Sequence, residues 1–163
     1  MRCSGRALPA RHQTERVPDN QAQASIRPAR IGDDECVWLL ARDFATSFRP
    51  QRVAFDSAWV QLVGDPHTLL LVAESPQRGI VGYLLANSHL AFLANGPVAW
   101  VEEVMVDEHT RHSGIGRRLM DHAEKWAQSI DAAYLALASR RAGPFYCALD
   151  YKDSAVFYKK TLT

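Results

Sequence analysis

Three cysteines in 163 residues, Cys3, Cys36 and Cys147, are odd in number and widely scattered. That fits reduced thiols in a cytosol better than a disulfide framework. No run approaches the roughly 18 consecutive apolar residues that a membrane span requires. Excess charge is missing too: 19 Lys and Arg against 18 Asp and Glu leave a net +1. No whole-molecule field therefore draws the chain to nucleic acid or to an anionic membrane. The arginines of the N-terminus have no apolar run behind them, which excludes a secretory signal. Internal repeats and low-complexity linkers are absent. What remains is 47% apolar and 23% charged, the balance of a globular protein. At this length a core can close without staples. The expected setting is cytoplasmic, with neither nucleic acid nor membrane as partner.

Residues 1 to 23 hold four arginines against Glu15 and Asp19, with no lysine, no aromatic residue and no apolar period. They read as a disordered, solvated leader rather than a nucleic-acid arm. Residues 24–163 read as a single domain. "ASIRPAR" is a short strand ended by Pro28. "GDDECVWLLARDFA" is a helix with an acidic first turn, and a second helix is expected from about 56 to 63, capped by Asp56 or Ser57 and stopped near Gly64. "TLLLVAE" and "GIVGYLLANSHLAF" flank "SPQRG" as a hairpin, and "AWVEEVMVD" is a further strand. From about 114 to 130, Ile115, Leu119, Ala123, Trp126 and Ile130 share one helical face. "AAYLALAS" reads as a strand buried on both faces, "PFYCAL" as a short helix, and "VFYKKTL" as a closing edge strand. The order is β-α-α-β-β-β-α-β-α-β, with a small extra strand at Tyr151-Lys152. This is an α/β (α+β) architecture with a mixed sheet.

The chemistry concentrates in Arg111-His112-Ser113-Gly114-Ile115-Gly116, between an apolar strand and an amphipathic helix. A helix N-terminus offers free N–H groups and partial positive charge. Glycines at 114 and 116 let an anion approach the backbone, while Arg111, Arg117 and Arg118 add full charges, which suits a phosphate or pyrophosphate. A bare G-x-G is more often a softened turn. A P-loop would need a following Lys, and a dinucleotide fingerprint a third glycine where Leu119 stands.

The stretch resembles the pyrophosphate signature of the GNAT N-acetyltransferase superfamily, Arg/Gln-x-x-Gly-x-Gly/Ala. The preceding strand ends five residues before Arg111 and the helix opens at the glycines, as in that superfamily. "AGPFYCALDY" is similar to its Ala-x-x-Phe-Tyr-x-x-x-Gly-Phe/Tyr segment, "SAVFYKKTL" to its closing strand, and "SIRPARIGDDECVWLL" to its opening strand and helix. Together these cover about residues 25 to 162. The resemblance implies a mostly antiparallel twisted sheet flanked by helices, and acetyl-CoA as co-substrate. It implies pyrophosphate contacts from the N–H groups of His112, Ser113, Gly114, Ile115, Gly116 and Arg117, beside Arg111. Val104 N–H would meet the thioester carbonyl, and Met105 and Val106 would pair with the pantetheine arm. Tyr146 stands where members donate a proton to the CoA sulfur, and Glu102 where a base acts directly or through water. The reaction implied is direct attack of an amine on the thioester through a tetrahedral intermediate. A small-molecule or peptide amine is the expected acceptor, and a second copy of the chain a further partner, since such dimers are common.

Three positions depart from the pattern. His112 stands where Gly is frequent, Asp150 replaces the Gly after the short helix, and Ser139 replaces the Asn that contacts pantetheine, so that contact is shortened or lost. Glu102 and Glu103, successive in a strand, should point to opposite faces and so form no acid/base pair. A structural carboxylate is as good a reading of Glu102 as a base. His109, His112 and His122 lack the further ligands a zinc site wants, so no metal is expected. Cys147 reads as a buried, inert thiol. The four tryptophans read as core, Trp59 with an option on the acceptor pocket, and Arg49 and Arg52 as surface cations. The rival function is a non-catalytic acyl-CoA-binding module that has lost acceptor chemistry.

Overall fold

A computed structural model describes residues 23–44 and 49–162. The expected leader, apart from Gln23, and part of the segment before the second helix lie outside them. Strands β1 (Ser25–Pro28), β2 (Thr68–Ser75), β3 (Gly79–Ala91), β4 (Gly96–Val106) and β5 (Leu135–Leu137) form one sheet in that order. The first four are antiparallel neighbours, and β5 lies parallel to β4. Parallel pairing needs a long crossover, here helix α3 (Ile115–Ser129). Helices α1 (Asp34–Phe44) and α2 (Arg52–Leu62) precede β2, and α4 (Gly143–Cys147) follows β5.

Period-two alternation in the strands sorts side chains onto two faces. Val72 and Tyr83 meet Val37, Leu40 and Trp59 of α1 and α2. Leu71, Ala73, Leu84 and Ala86 meet Ile115, Leu119, Met120 and Ala123 of α3. Of the helical stripe expected from the sequence, Ile115, Leu119, Ala123 and Trp126 pack, with Met120 and Ala127 added, whereas Ile130 follows the helix end and lies outside this core. Trp59 lies in the core, its indole N–H donating to Ile31 O at 3.3 Å.

Four expectations change. Helix α2 begins a turn early because Asp56 accepts from Arg52 Nε at 2.8 Å, one turn back, instead of capping a new helix. Arg52 also reaches Asp34 and Glu35 and lies over the Trp38 ring, so it is a clamp between α1 and α2 rather than a free cation. Strand β5 is three residues long, half-buried, and paired only with Ala99–Val101 of β4. The closing strand and the strand at Tyr151-Lys152 do not form. Val156, Phe157 and Tyr158 are all exposed, so pairing there would bury neither face, and among the described residues Phe157 stacks on Trp100. Tyr158 is exposed, whereas Tyr151 packs against the α3 core.

Candidate active site

The site starts from a register slip. Glu103 pairs with Leu85 but Val101 with Ala86, leaving Glu102 as an extra residue in a β-bulge. Val101 and Val104 both pack on the α3 side, three positions apart, while Glu103 shares the opposite side with Tyr83. Regular alternation is lost at the bulge, so the period-two argument for opposite faces does not apply to the two glutamates. Glu102 is exposed; Glu103 is half-buried and accepts from Tyr83 Oη at 2.5 Å. Burial, reinforced by that carboxylate, pushes the Tyr83 phenol well up, so it stays a donor. This pair went unread in the sequence. Its signal was a second carboxylate in an apolar strand, but only the bulge shows where it points.

Beyond the bulge β5 has ended, and one edge of β4 has no strand beside it among the described residues. Asp107 N–H donates to Val81 O at 2.8 Å, so alternate residues Met105 and Glu103 also turn their backbone to β3. Val104 and Val106 therefore present N–H and C=O to the open edge. Met105 does not: its backbone faces Tyr83 and its side chain is buried against α1 and α2.

At the end of that edge the chain turns into α3. His112 (φ 62°) and Gly114 (φ 82°) are both left-handed, and Gly114 is the N-cap. No side chain caps the helix, since Ser113 Oγ donates back to Thr110 O at 2.5 Å. The first intrahelical bond to Gly114 O comes from Arg118 N–H, which leaves Ile115, Gly116 and Arg117 N–H without a helical acceptor. Gly114 serves the left-handed turn. Gly116 serves packing: a Cβ there would meet Phe145 Cζ at 3.3 Å.

The arginines hold backbone. Arg111 Nε donates to Val106 O at 3.1 Å, Arg117 Nη2 to Ala148 O at 2.9 Å, and Arg118 Nη1 to Ala24 O. Each fastens the loop or helix to a different neighbour, namely the end of β4, the C-cap of α4 and the residue before β1. Arg111 and Arg117 stay exposed, so their charge still bears on the loop.

On α4, Phe145 and Tyr146 pack against the α3 core. The Tyr146 ring stands edge-on to Phe145 and Tyr151, and burial raises its phenol pKa, keeping the proton on at neutral pH. Cys147 is exposed, against expectation, because the short helix turns its two aromatic residues inward. Ser139 Oγ accepts from Ala142 N–H at 3.1 Å, holding the approach to α4. Asp150 is left-handed (φ 65°), the conformation that the usual Gly would favour. His122 Nδ1 lies 2.8 Å from Arg118 O, and His109 lies beside Glu108.

The sequence matches the profile of the Acetyltransferase (GNAT) family over residues 34–151. The chain belongs to that family. Among solved structures, a transcriptional regulator from Bacillus halodurans C-125 is 26% identical, at a TM-score of 0.73 over 85% of this chain and 99% of that one. A glucosamine-6-phosphate N-acetyltransferase from Arabidopsis thaliana is 20% identical (TM-score 0.73; 86% and 99% covered), and shares the fold. So does a ribosomal-protein-alanine N-acetyltransferase from Brucella melitensis biovar Abortus 2308, 18% identical (TM-score 0.65; 86% and 98% covered). Comparison with curated proteins finds no match. The GNAT fold, a mostly antiparallel sheet with helices on both faces, is the fold of this chain. Acetyl transfer is the activity general to the family, and acetyl-CoA its usual donor. Among the described residues no helix is long and apolar enough to cross a membrane.

Proposed function

We propose that this GNAT protein transfers the acetyl group of acetyl-CoA to an amine by direct attack. One observation carries the reading: the N–H groups of Val104 and Val106 and the C=O of Val104, without a partner among the described residues, lead to the N–H groups of Ile115, Gly116 and Arg117, which have no helical acceptor. That continuity fits a ligand with an amide-bearing arm and a pyrophosphate. The arm would add to the sheet edge as a strand does, and the anion would sit on the helix N-terminus.

In the reaction the amine nitrogen adds to the thioester carbonyl carbon, the C–S bond breaks, and the products are an amide and free CoA thiol. Val104 N–H would donate to the carbonyl oxygen as it gains charge, a fixed donor that needs no reorganisation. Tyr146, still protonated, would give its proton to the departing sulfur. The proton lost by the amine would go to Glu102, directly or through water. Glu103 is already engaged by Tyr83 and would orient the incoming amine instead.

Calorimetric titration with CoA, followed by thiol release from acetyl-CoA across a panel of small and peptide amines, tests this. Binding with turnover of at least one amine is expected. Binding without turnover on any amine would return the protein to an acyl-CoA-binding module, and no binding would remove the reading.

A further inference from the structure

The bulge at Glu102 brings together two side chains that the sequence holds three positions apart. On β3, Leu85 and Asn87 point to one face, and their partners on β4 are Glu103 and Trp100. Glu103 and Trp100 therefore stand side by side, about 7 Å apart along the strand. Ala86 and its partner Val101 face α3, so Glu103 and Trp100 share the opposite face with Tyr83 and Met105. Helices α1 and α2 cover Tyr83 and Met105 but leave Leu85 and Trp100 half-buried, outside either core. Phe157 stacks on Trp100 with ring centres 6.3 Å apart, while Asn87 Oδ1 accepts from Thr68 Oγ1 at 2.9 Å. The result is a patch with a carboxylate at one end and an aromatic pair at the other.

Charge and access decide what the patch can receive. Tyr83 Oη donates to the Glu103 carboxylate from inside the core, which holds that carboxylate in one place. No salt bridge among the described residues ends on Glu103, so its charge is uncompensated there. Next to it along β4, the α3 side is closed, because Val104 and Val106 pack there with Phe145 and Tyr146. An acceptor that meets a thioester held by Val104 N–H must come from the other face, past Glu103.

We infer, resting on the acetyl-transfer reading, that the acceptor is an arylalkylamine, its ammonium docked on Glu103 and its ring against Trp100 and Phe157. A link of about two carbons between nitrogen and ring, with the reach of the glutamate side chain, spans the separation. The uncompensated carboxylate selects a cation, and the stacked pair selects a flat ring over an alkyl chain. An amine that carries a phosphate is disfavoured, since its anion would lie beside Glu103. The docked ammonium sheds one proton to water before it attacks. Its second proton passes to Glu102 as the N–C bond forms and the C–S bond breaks, and Tyr146 supplies the proton on sulfur. Tyr83 is then a positioning residue, acting on the acceptor through Glu103.

Calorimetric titration of amines into the full chain saturated with CoA tests the patch, and thiol release from acetyl-CoA then tests the transfer. Phenethylamine should bind at least about 10-fold more tightly than propylamine, which has a methyl group in place of the ring. Trp100→Leu should cut that preference to about 3-fold or less. Its CoA affinity should hold, since the α3 N-terminus and Tyr146 lie on the other face. Should this variant misfold, Phe157→Leu, in an exposed segment, reads the same loss. Tyr83→Phe keeps the ring in the core, and should raise KM for each amine about 10-fold while kcat and KM for acetyl-CoA change little. Equal affinity for the two amines, or no binding of either, overturns the proposal. Tighter binding of putrescine also overturns it, in favour of a second cation over the Trp100 ring. A ring preference that the Trp100 and Phe157 variants both leave intact overturns the assignment to this face. Ring-selective binding with no thiol release would keep the patch and remove the transfer reading instead.

Discussion

Each residue of the glycine loop carries a separate physical demand, and the sequence showed the demand more clearly than its cause. Gly114 was legible because a left-handed N-cap tolerates few other residues, and Asp150 because Asp is one of the few that adopt such a φ. Gly116 was half legible: it also accommodates the Phe145 ring, a contact across 29 positions that no local motif reveals. The backbone carbonyls that the arginines hold were invisible for the same reason, since they lie on other elements. Gly82 shows a third demand. A Cβ there would stand 2.7 Å from Met105 O, a backbone atom that cannot swing aside. Gly82→Ala should therefore cost about 1–3 kcal/mol by overpacking. Urea denaturation measures it, and an unchanged midpoint would mean that β3 and β4 separate easily here. Tyr146→Phe removes an oxygen but keeps the ring contacts with Phe145 and Tyr151. With an identified acceptor, kcat should fall on the order of 10²–10⁴-fold while CoA affinity and melting temperature hold. Near-normal kcat would leave Tyr146 as packing.

Whole elements were legible where one face is buried and periodic, as in α3, β2 and β3, and illegible where a tertiary partner decides. Asp56 had the composition of a cap but serves Arg52, and "VFYKKTL" had the composition of a strand but finds no face to cover. The bulge at Glu102 is likewise a matter of pairing, invisible in a single strand. Near β1 a polar clamp ties three elements. Arg27 donates to Asp33 Oδ2 and to Glu74 Oε2, each at 2.7 Å, and Arg30 N–H donates to Asp33 at 2.8 Å. The Arg27 hydrogen bond, helped by the Arg30 amide, holds the buried Asp33 carboxyl below its ordinary 3.8 despite its desolvation. A carboxyl that is more acidic folded than unfolded stabilises the fold above its unfolded pKa. That contribution drains away as pH falls from about 3.8 through the lower folded value. Asp33→Asn should thus cost about 2 kcal/mol at neutral pH and flatten the acid limb of the stability curve. Parallel melts from pH 7 to 3 check this, and a variant with an unaltered acid limb would show that Asp33 is not the group titrating.

Across the whole molecule, the candidate site lies where the elements of the main core meet. β4 joins the antiparallel strands to β5, and α3 packs against β2, β3 and β4. A ligand held by the open edge of β4 and the first turn of α3 would engage groups that exist together only in the folded chain. Its binding free energy must then appear as folding free energy. At 100 times its dissociation constant, CoA should add about 2.7 kcal/mol, which for a chain of this size is a rise in melting temperature of about 5–10 °C. Gly114→Glu provides the control. It places a carboxylate where the pyrophosphate would lie and strains a left-handed position, so its own melting temperature should drop somewhat. The informative quantity is the shift on adding CoA, which should vanish in the variant and persist in the wild type. A wild type whose melting temperature ignores saturating CoA would detach the site from the fold. An equal shift in both proteins would move the pyrophosphate away from the α3 N-terminus.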